Sequence, residues 1–240
     1  PLLVPQIAFL FTGQGAQYLD MGRQLYETQP IFRAVIERCD AVAHQALGRS
    51  LIELLYPAVE PAHNDIIESH PCGQAVNFAV QCALVELWKS WGIQPDLVLG
   101  HSLGDFAAAY AAGVLALEDG LRLVSTRGRL MEQAVGSMVA VLASEADVAP
   151  FVEPYADVVI GVINGPRNVV ISGGHTHVQA AAAVLEAAGF KTRKVAVPMA
   201  AHSPLLDPVL DAFETFIRES ITLHPPQRSV VSSMTGNLIT

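Results

Sequence analysis

One short segment of the chain combines the residue types and spacing of a serine nucleophile. Residues 97–100 are typical of a buried strand, and they run into the turn Gly-His-Ser-Leu-Gly at 100–104. An alanine-rich stretch with helix-forming composition follows at once. A strand–turn–helix of this kind lifts a serine hydroxyl onto a strained bend, and the helix aims free N–H groups and its positive dipole end at the same point. The pattern predicts that Ser102 is a nucleophile; the alternative is an ordinary turn serine between two buried elements.

A serine nucleophile needs a base, and two histidines are candidates. His101 directly precedes Ser102, so its side chain leaves the backbone in another direction and is a better neighbour of the site than a base. His202 follows a predicted strand and precedes a helix, where a loop could return it to the active face. A triad in the α/β-hydrolase order would also need an acid between the serine and the histidine in the chain. The candidate acids are Asp147, Glu153 and Asp157, and they fall inside a small predicted module and not at the end of a core strand.

A second glycine-flanked turn follows the first predicted strand. Residues 12–17 read Thr-Gly-Gln-Gly-Ala-Gln, directly after the apolar run at 6–11. A tight turn at this place can offer the backbone N–H of Gln14 to an oxyanion.

The elements around these turns predict an α/β fold with an insertion. Up to about residue 135, short apolar strands alternate with amphipathic helices. The order strand–helix–strand–strand–helix–strand that follows is the signature of a ferredoxin-like module. We therefore predict a large α/β-hydrolase-like subdomain with a parallel sheet core, formed by residues 1–134 and 199–240. A small ferredoxin-like α+β subdomain is predicted as an insertion at 135–198.

Composition argues against several classes of function. Of 240 residues, 51% are hydrophobic and 15% are charged, which is enough apolar material for a large core. The net charge of −9 and the lack of a basic run argue against nucleic acid as a partner. Apolar stretches end well before about 18 residues, so no membrane span is predicted.

His175 and His177 lie close together without cysteine or carboxylate partners, which favours a solvated loop over a metal site. Three cysteines without CxxC spacing predict free thiols in a reducing cytosol (Cys39, Cys72 and Cys82).

Four separate motifs occur together in the order and spacing of one known family. They are FLFTGQGAQYLDMG, GHSLGDFAAAYAAGVLALEDGLRLVSTRGRLM, INGPRNVVISG and AAHSPLLDPVLDAF. From Gln6 to its end the chain resembles the malonyl-CoA:acyl carrier protein transacylase family, and most closely the acyltransferase domains of modular type I polyketide synthases. Such domains continue past the residue that matches Thr240, so the resemblance implies a C-terminally truncated or shortened domain. The start at Pro1 favours a piece of a longer synthase.

The resemblance implies a role for each candidate of the reaction. Ser102 is expected to accept the acyl group and His202 to act as its general base. The other ring nitrogen of His202 is expected to bond a main-chain carbonyl, in the stretch around Ser233. The N–H groups of Gln14 and Leu103 are expected to form the oxyanion hole.

The resemblance also implies how the acyl group is chosen. Arg127 matches the arginine that binds the free carboxylate of a malonyl-type group, and a guanidinium does this bidentately. Composition alone would make Arg127 a solvated helix charge. In the four residues that end at His202, the small third residue, Ala201, favours a branched acyl group. Leu103 favours malonyl instead. We therefore expect malonyl or an α-substituted malonyl. The expected specificity positions are Met199, Ala200, Ala201 and His101.

The function implied is a ping-pong acyltransferase of polyketide or fatty acid biosynthesis. It would move a malonyl-type unit from CoA to Ser102 and then to the phosphopantetheine thiol of an acyl carrier protein, with no tightly bound cofactor or metal. Expected partners are that carrier, docked on a local basic patch at 127–129 or 191–194, and neighbouring domains such as a ketosynthase. A cytoplasmic location is expected. Two alternatives stay open: a serine hydrolase or thioesterase with the same serine and histidine, and an inactive structural domain of a synthase.

Overall fold

The structure is a computed structural model that describes residues 6–58, 70–195 and 199–239. Its strands are β1 (Ala8–Phe11), β2 (Leu97–Gly100), β3 (Ser137–Val141), β4 (Val158–Gly165), β5 (Asn168–Gly173), β6 (Thr192–Lys194) and β7 (Ser229–Val231). Its helices are α1 (Arg23–Thr28), α2 (Pro30–Leu47), α3 (Leu51–Leu55), α4 (His70–Ser90), α5 (Gly104–Ala111), α6 (Leu117–Met131), α7 (Glu145–Val152), α8 (His175–Ala187) and α9 (Asp207–Ser220).

The chain divides into two compact units. The first unit comprises Pro1–Arg129 and Phe216–Thr240, and the second comprises Leu130–Thr215. The subdomain boundaries predicted from the order of strands and helices, 1–134 with 199–240 and 135–198, stay a prediction.

A parallel sheet lies at the centre of the first unit. Among the described residues its strand order is β1-β2-β7, so β2 is the middle strand. Ala8 pairs with Leu97, and Leu97 in turn pairs with Ser229. Because all three strands run in the same direction, the turns that follow β1 and β2 emerge at the same edge of the sheet. The predicted parallel sheet core is confirmed, and both candidate turns lie at its carboxyl edge.

Two long helices, α2 and α4, pack against each other through apolar faces. The sequence from residue 20 to 47 has a helical period that is interrupted near Pro30, and α2 indeed begins at Pro30, because a proline needs no N–H in the first helical turn. α4 contains an unbroken buried stretch at residues 72–80, as expected of a helix packed on several sides. The polar side chains within that stretch must therefore find partners inside the protein.

The second unit is a four-stranded antiparallel sheet with two helices. Its strand order is β4-β5-β3-β6, and Val139 of β3 pairs with Ile171 on one side and with Lys194 on the other. The predicted ferredoxin-like order of elements is confirmed. A serine before acidic residues, as at Ser144, is typical of a helix N-cap, and Ser144 and Asp147 form a reciprocal capping box at the start of α7. The stretch at 191–198 is typical of a strand; β6 covers Thr192–Lys194, and residues 196–198 lie outside the described residues.

Two expectations change in detail. His175 and His177 lie in the first turn of α8 and not in a loop, although both side chains are exposed as expected. The composition of residues 228–236 is typical of a strand, but the strand is confined to β7, after which the chain turns. Within the described ranges, no helix is long and apolar enough to cross a membrane.

Candidate active site

The turn after β2 holds Ser102 in a conformation that non-glycine residues rarely adopt. Its φ is 53°, in the left-handed region, between β2 and the start of α5. Both flanking glycines are required by close packing. A Cβ on Gly100 would lie 2.1 Å from the backbone nitrogen of Asp105, and one on Gly104 would lie 2.2 Å from the carbonyl oxygen of Phe11. The geometry is that of a nucleophile elbow, with a half-buried serine and a buried Leu103 beside it.

The loop after β1 lies against this turn. The backbone nitrogen of His101 donates to the carbonyl of Phe11 at 2.9 Å. A Cβ on Gly13 would approach Nδ1 of His101 to 2.8 Å and its carbonyl oxygen to 2.9 Å. Gly13 is therefore the residue that lets the loop reach the serine turn, and its neighbour Gln14 is brought to the same edge of the sheet. His101 itself is exposed.

Arg127 is a partly buried cation and not a solvated helix charge. Its Nη1 donates to Oε1 of Gln74 at 2.7 Å, and its guanidinium carbon lies 5.7 Å from the ring centre of Phe106. Burial lowers the pKa of Arg127 to about 10, while the nearby Asp105 acts in the opposite direction. At neutral pH the side chain is still charged. Arg129, two positions further on, is exposed.

Gln74 is a site residue that the sequence reasoning missed. Its side chain is fully buried on α4. It accepts from Arg127, and its Nε2 donates to Oε1 of Gln14 at 3.2 Å. One amide thus joins the predicted carboxylate-binding arginine to the predicted oxyanion loop. Two further amides on the same helix, Asn77 and Gln81, contact the loop backbone and were missed as well.

Asp105 and Ser233 are joined by a hydrogen bond. The hydroxyl of Ser233 donates to the carboxylate of Asp105, in the first turn of α5. Burial raises the pKa of Asp105, and the hydrogen bonds from Ser233 and from the backbone of Gly100 oppose that shift. The Ser233 side chain therefore anchors the segment after β7 to the helix that follows the nucleophile. The expected role of a carbonyl near Ser233 in holding His202 stays a prediction.

His202 belongs to the second unit and also has a left-handed backbone, with φ of 58°. The residues before it are fixed by serine side chains: Ser172 donates to the carbonyl of Ala201 at 2.5 Å, and Ser203 donates to that of Ala200 at 2.7 Å. Met199, Ala200 and Ala201 are buried, whereas the His202 side chain is exposed. The first unit thus brings together the predicted nucleophile, oxyanion loop and arginine. The contribution of His202 and of the three preceding residues stays a prediction.

A serine–histidine contact lies within the second unit. The hydroxyl of Ser137 is 2.6 Å from Nδ1 of His175. Ser137 is buried at the first position of a regular strand, so its hydroxyl is not presented on a bend as that of Ser102 is. His177 lies 2.6 Å from the carboxylate of Asp157. These contacts tie α8 to its neighbours; in the part of the chain that the structure covers, no group of three histidines, cysteines or carboxylates could hold a metal ion.

The family comparisons agree with this geometry. Residues 8–238 match the family model described as an acyl transferase domain. The polyketide synthase GfsA of Streptomyces halstedii is 40% identical over 234 residues, which is 96% of this chain and 3% of that protein. The chain therefore spans a small part of the length of that relative.

Solved structures show the same fold. The acyltransferase domain from the second module of the salinomycin polyketide synthase is 41% identical with a TM-score of 0.89, covering 100% of this chain and 56% of that one. The acyl transferase domain of SpnD, in complex with 2-(pent-4-yn-1-yl)malonyl, is 34% identical with a TM-score of 0.91 and the same coverage. PlMCAT:AntF, a type II acyl carrier protein in complex with its malonyl-transacylase, is 28% identical with a TM-score of 0.86, over 98% of this chain and 76% of that one. Because the family model matches residues 8–238, nearly the whole length of the chain, this chain belongs to the acyl transferase domain family.

Proposed function

We propose that this domain loads a malonyl-type acyl unit from CoA onto the phosphopantetheine thiol of an acyl carrier protein, through an ester on Ser102. The observation that carries the proposal is the state of Arg127. Its guanidinium is partly buried and is held by the neutral amide of Gln74. Among the described residues, no carboxylate forms an ion pair with it, although the nearby charge of Asp105 raises its pKa. A partly buried cation without a directly bound carboxylate is stabilised by an anionic ligand, and the free carboxylate of a malonyl group supplies one.

The chemistry follows from the elbow and the loop. His202 takes the hydroxyl proton of Ser102 as the serine oxygen attacks the thioester carbonyl, and the negative charge collects on the former carbonyl oxygen. The N–H groups of Gln14 and Leu103 would donate to this oxyanion. The intermediate then collapses: the carbon–sulfur bond breaks, CoA leaves as a thiol with the proton from His202, and the acyl group stays on Ser102. The carrier thiol repeats the steps in reverse and releases the serine.

The carrier and the polyketide context are supported by relatives. The malonyl-transacylase of PlMCAT:AntF was solved with an acyl carrier protein, and GfsA is a polyketide synthase. We extend this partner and this setting to the present chain, with ketosynthase and other synthase domains as neighbours and the cytoplasm as the compartment. Docking is proposed at one of two places with exposed basic residues: Arg129 near the end of α6, or Lys191, Arg193 and Lys194 at β6.

The acyl unit is malonyl or an α-substituted malonyl. The SpnD domain binds a malonyl derivative with a large α-substituent, so the fold accepts such groups in a relative that is 34% identical. The proposed specificity residues for this substituent are Met199, Ala200, Ala201 and His101. Replacing Ala201 by Phe is expected to lower activity toward methylmalonyl-CoA more than toward malonyl-CoA, because the larger side chain takes up space near the α-carbon.

One experiment separates this function from the alternatives. The chain is incubated with malonyl-CoA labelled in the acyl group, with and without holo carrier protein. Stable label on Ser102 that moves to the carrier supports transfer. Free malonate released as fast as CoA supports a hydrolase, and absence of label supports a structural domain.

Two arginine variants test the carboxylate contact. Arg127→Ala is expected to lose malonyl loading and to keep, or gain, loading from acetyl-CoA. Arg129→Ala removes the same charge from an exposed position on the same helix, and it is the matched control because loading of Ser102 is measured without carrier protein. If both variants keep the wild-type preference for malonyl-CoA over acetyl-CoA, Arg127 does not bind the carboxylate.

A further inference from the structure

Three amide side chains lie along one face of α4, at positions 74, 77 and 81. Spacings of three and four residues put them on the same side of a helix. Gln74 and Asn77 are 0% and 2% exposed, in a stretch of the helix that is otherwise apolar. Buried amides need hydrogen-bond partners, so the partners of these three side chains show which part of the protein the helix holds in place.

The target is the backbone of the loop after β1. Nδ2 of Asn77 donates to the carbonyl oxygen of Gly13 at 2.8 Å. Nε2 of Gln81 donates to the carbonyl oxygen of Thr12 at 2.9 Å and to Oδ1 of Asn77 at 2.8 Å. The contact with Gln81 occupies the oxygen of the Asn77 amide and so turns its NH₂ group toward Gly13. Two successive peptide groups of the loop are therefore held by side chains of one rigid helix.

The planarity of the peptide bond gives this contact a consequence for the site. The carbonyl of Gly13 and the N–H of Gln14 belong to the same planar trans unit and point in opposite directions. A hydrogen bond that fixes the carbonyl therefore also fixes the direction of the N–H. That N–H is the donor assigned to the oxyanion hole in the proposed function.

We propose that Asn77 is a positioning residue for the oxyanion hole, oriented by Gln81 and acting through the Gly13–Gln14 peptide group. The proposal rests on the assignment of the Gln14 N–H in the proposed function. An oxyanion donor contributes most in the transition state, and removing one lowers kcat by about 10²–10³-fold in a known hydrolase. Misdirecting one donor is expected to have a smaller effect, about tenfold to a hundredfold on kcat, with little change in the KM of the acyl-CoA.

The test replaces Asn77 by Leu, which has nearly the same shape and no donor. Val76→Ala is the matched control, because Val76 is fully buried on the same helix and its truncation lowers stability through packing alone. Thermal unfolding, kcat and KM are measured for both variants. The expected result is a lower kcat for Asn77→Leu with KM within about twofold of wild type, and an unchanged kcat for Val76→Ala at a comparable loss of stability. An Asn77→Leu protein that folds and keeps the wild-type kcat overturns the proposal.

A second variant and a second reagent keep the outcome decisive. If Asn77→Leu does not fold, Gln81→Leu is used, because Gln81 is only half-buried and its loss leaves the Asn77 amide free to rotate. It is expected to lower kcat about fivefold or more by the same route, and an unchanged kcat overturns the proposal. A fluorophosphonate that modifies Ser102 and places an oxygen in the oxyanion hole is used in parallel. If wild type reacts with this reagent but not with malonyl-CoA, the proposed function fails, and the reagent's rate still decides the role of Asn77. If neither reagent modifies Ser102, both proposals fail.

Discussion

A carboxylate introduced at position 74 should change the acyl preference of the domain. In Gln74→Glu, an oxygen with negative charge replaces the amide oxygen that lies 2.7 Å from Nη1 of Arg127. The substitution is nearly isosteric, so the protein is expected to fold. The guanidinium would then have an internal ionic partner, and the carboxylate of a malonyl group would have to share or displace it.

The size of the effect follows from the strength of that contact. A hydrogen bond to a charged group contributes about 1.5–3 kcal/mol. At about 1.4 kcal/mol for each factor of ten, losing this advantage weakens malonyl binding by roughly tenfold to a hundredfold. Acetyl-CoA has no carboxylate, so its use should be unchanged or improved, because the introduced carboxylate would give the guanidinium of Arg127 an anionic partner. The introduced charge would also raise the pKa of Arg127, which burial otherwise lowers to about 10.

The assay is the ratio of kcat/KM for malonyl-CoA to that for acetyl-CoA, measured by acyl transfer to holo carrier protein. Gln74→Leu removes the amide without adding charge and should weaken malonyl loading without improving acetyl loading. In the Arg127→Ala background, Gln74→Glu should leave the ratio almost unchanged, because the two residues act through one contact. A folded Gln74→Glu protein whose ratio stays within twofold of wild type would refute the reasoning.

Three further outcomes follow from the described contacts. Ser233→Ala should lower the free energy of unfolding by about 0.5–1 kcal/mol at pH 7. Its hydrogen bond favours the charged form of Asp105, so this loss should fade as pH falls through the raised pKa of that carboxyl, as checked by urea unfolding at pH 7 and pH 4. Gly104→Ala should destabilise by about 3 kcal/mol or more, because its Cβ would meet the Phe11 carbonyl, whereas Gly165→Ala has no atom within 4 Å and should be nearly neutral by the same unfolding assay. The buried thiols of Cys39 and Cys82, whose pKa is raised by burial, should resist iodoacetamide at pH 8 until denaturant is added; rapid labelling of the folded protein, followed by mass spectrometry, would contradict this.

The parts of the fold that the sequence predicted are those set by local patterns. The elbow around Ser102 was predictable because an apolar run, two glycines and an alanine-rich stretch fix a strand, a tight turn and a helix in succession. The structure also explains why position 104 is a glycine. The carbonyl of Phe11, on a strand more than ninety positions earlier, lies too close for a side chain there. The ferredoxin-like order was predictable for the same reason, since each element of the small unit has its own period and its own turn or cap.

The parts that were missed depend on contacts between distant segments. Arg127 could not be recognised as partly buried from the pattern of α6, because its partner Gln74 lies on α4. Gln74 and Asn77 resemble tolerated polar residues until the packing of α4 on the loop after β1 is known. One signal was available: polar amides at positions 74, 77 and 81 lie on a single face of an otherwise apolar helix. Such a row predicts a buried polar target, although the sequence does not reveal which one.

The choice of an amide at position 74 bears on why the site would select a dicarboxylic acyl group. A carboxylate there would hold Arg127 equally well and would neutralise it, so the guanidinium would have little left to offer a substrate. A neutral acceptor orients the guanidinium of Arg127 and does not neutralise its charge. Since the same amide also donates to the side chain of Gln14, an acyl group drawn in by its carboxylate would meet the oxyanion loop in a set position. Binding energy from the carboxylate, which does not react, would then be used to orient the carbonyl that does.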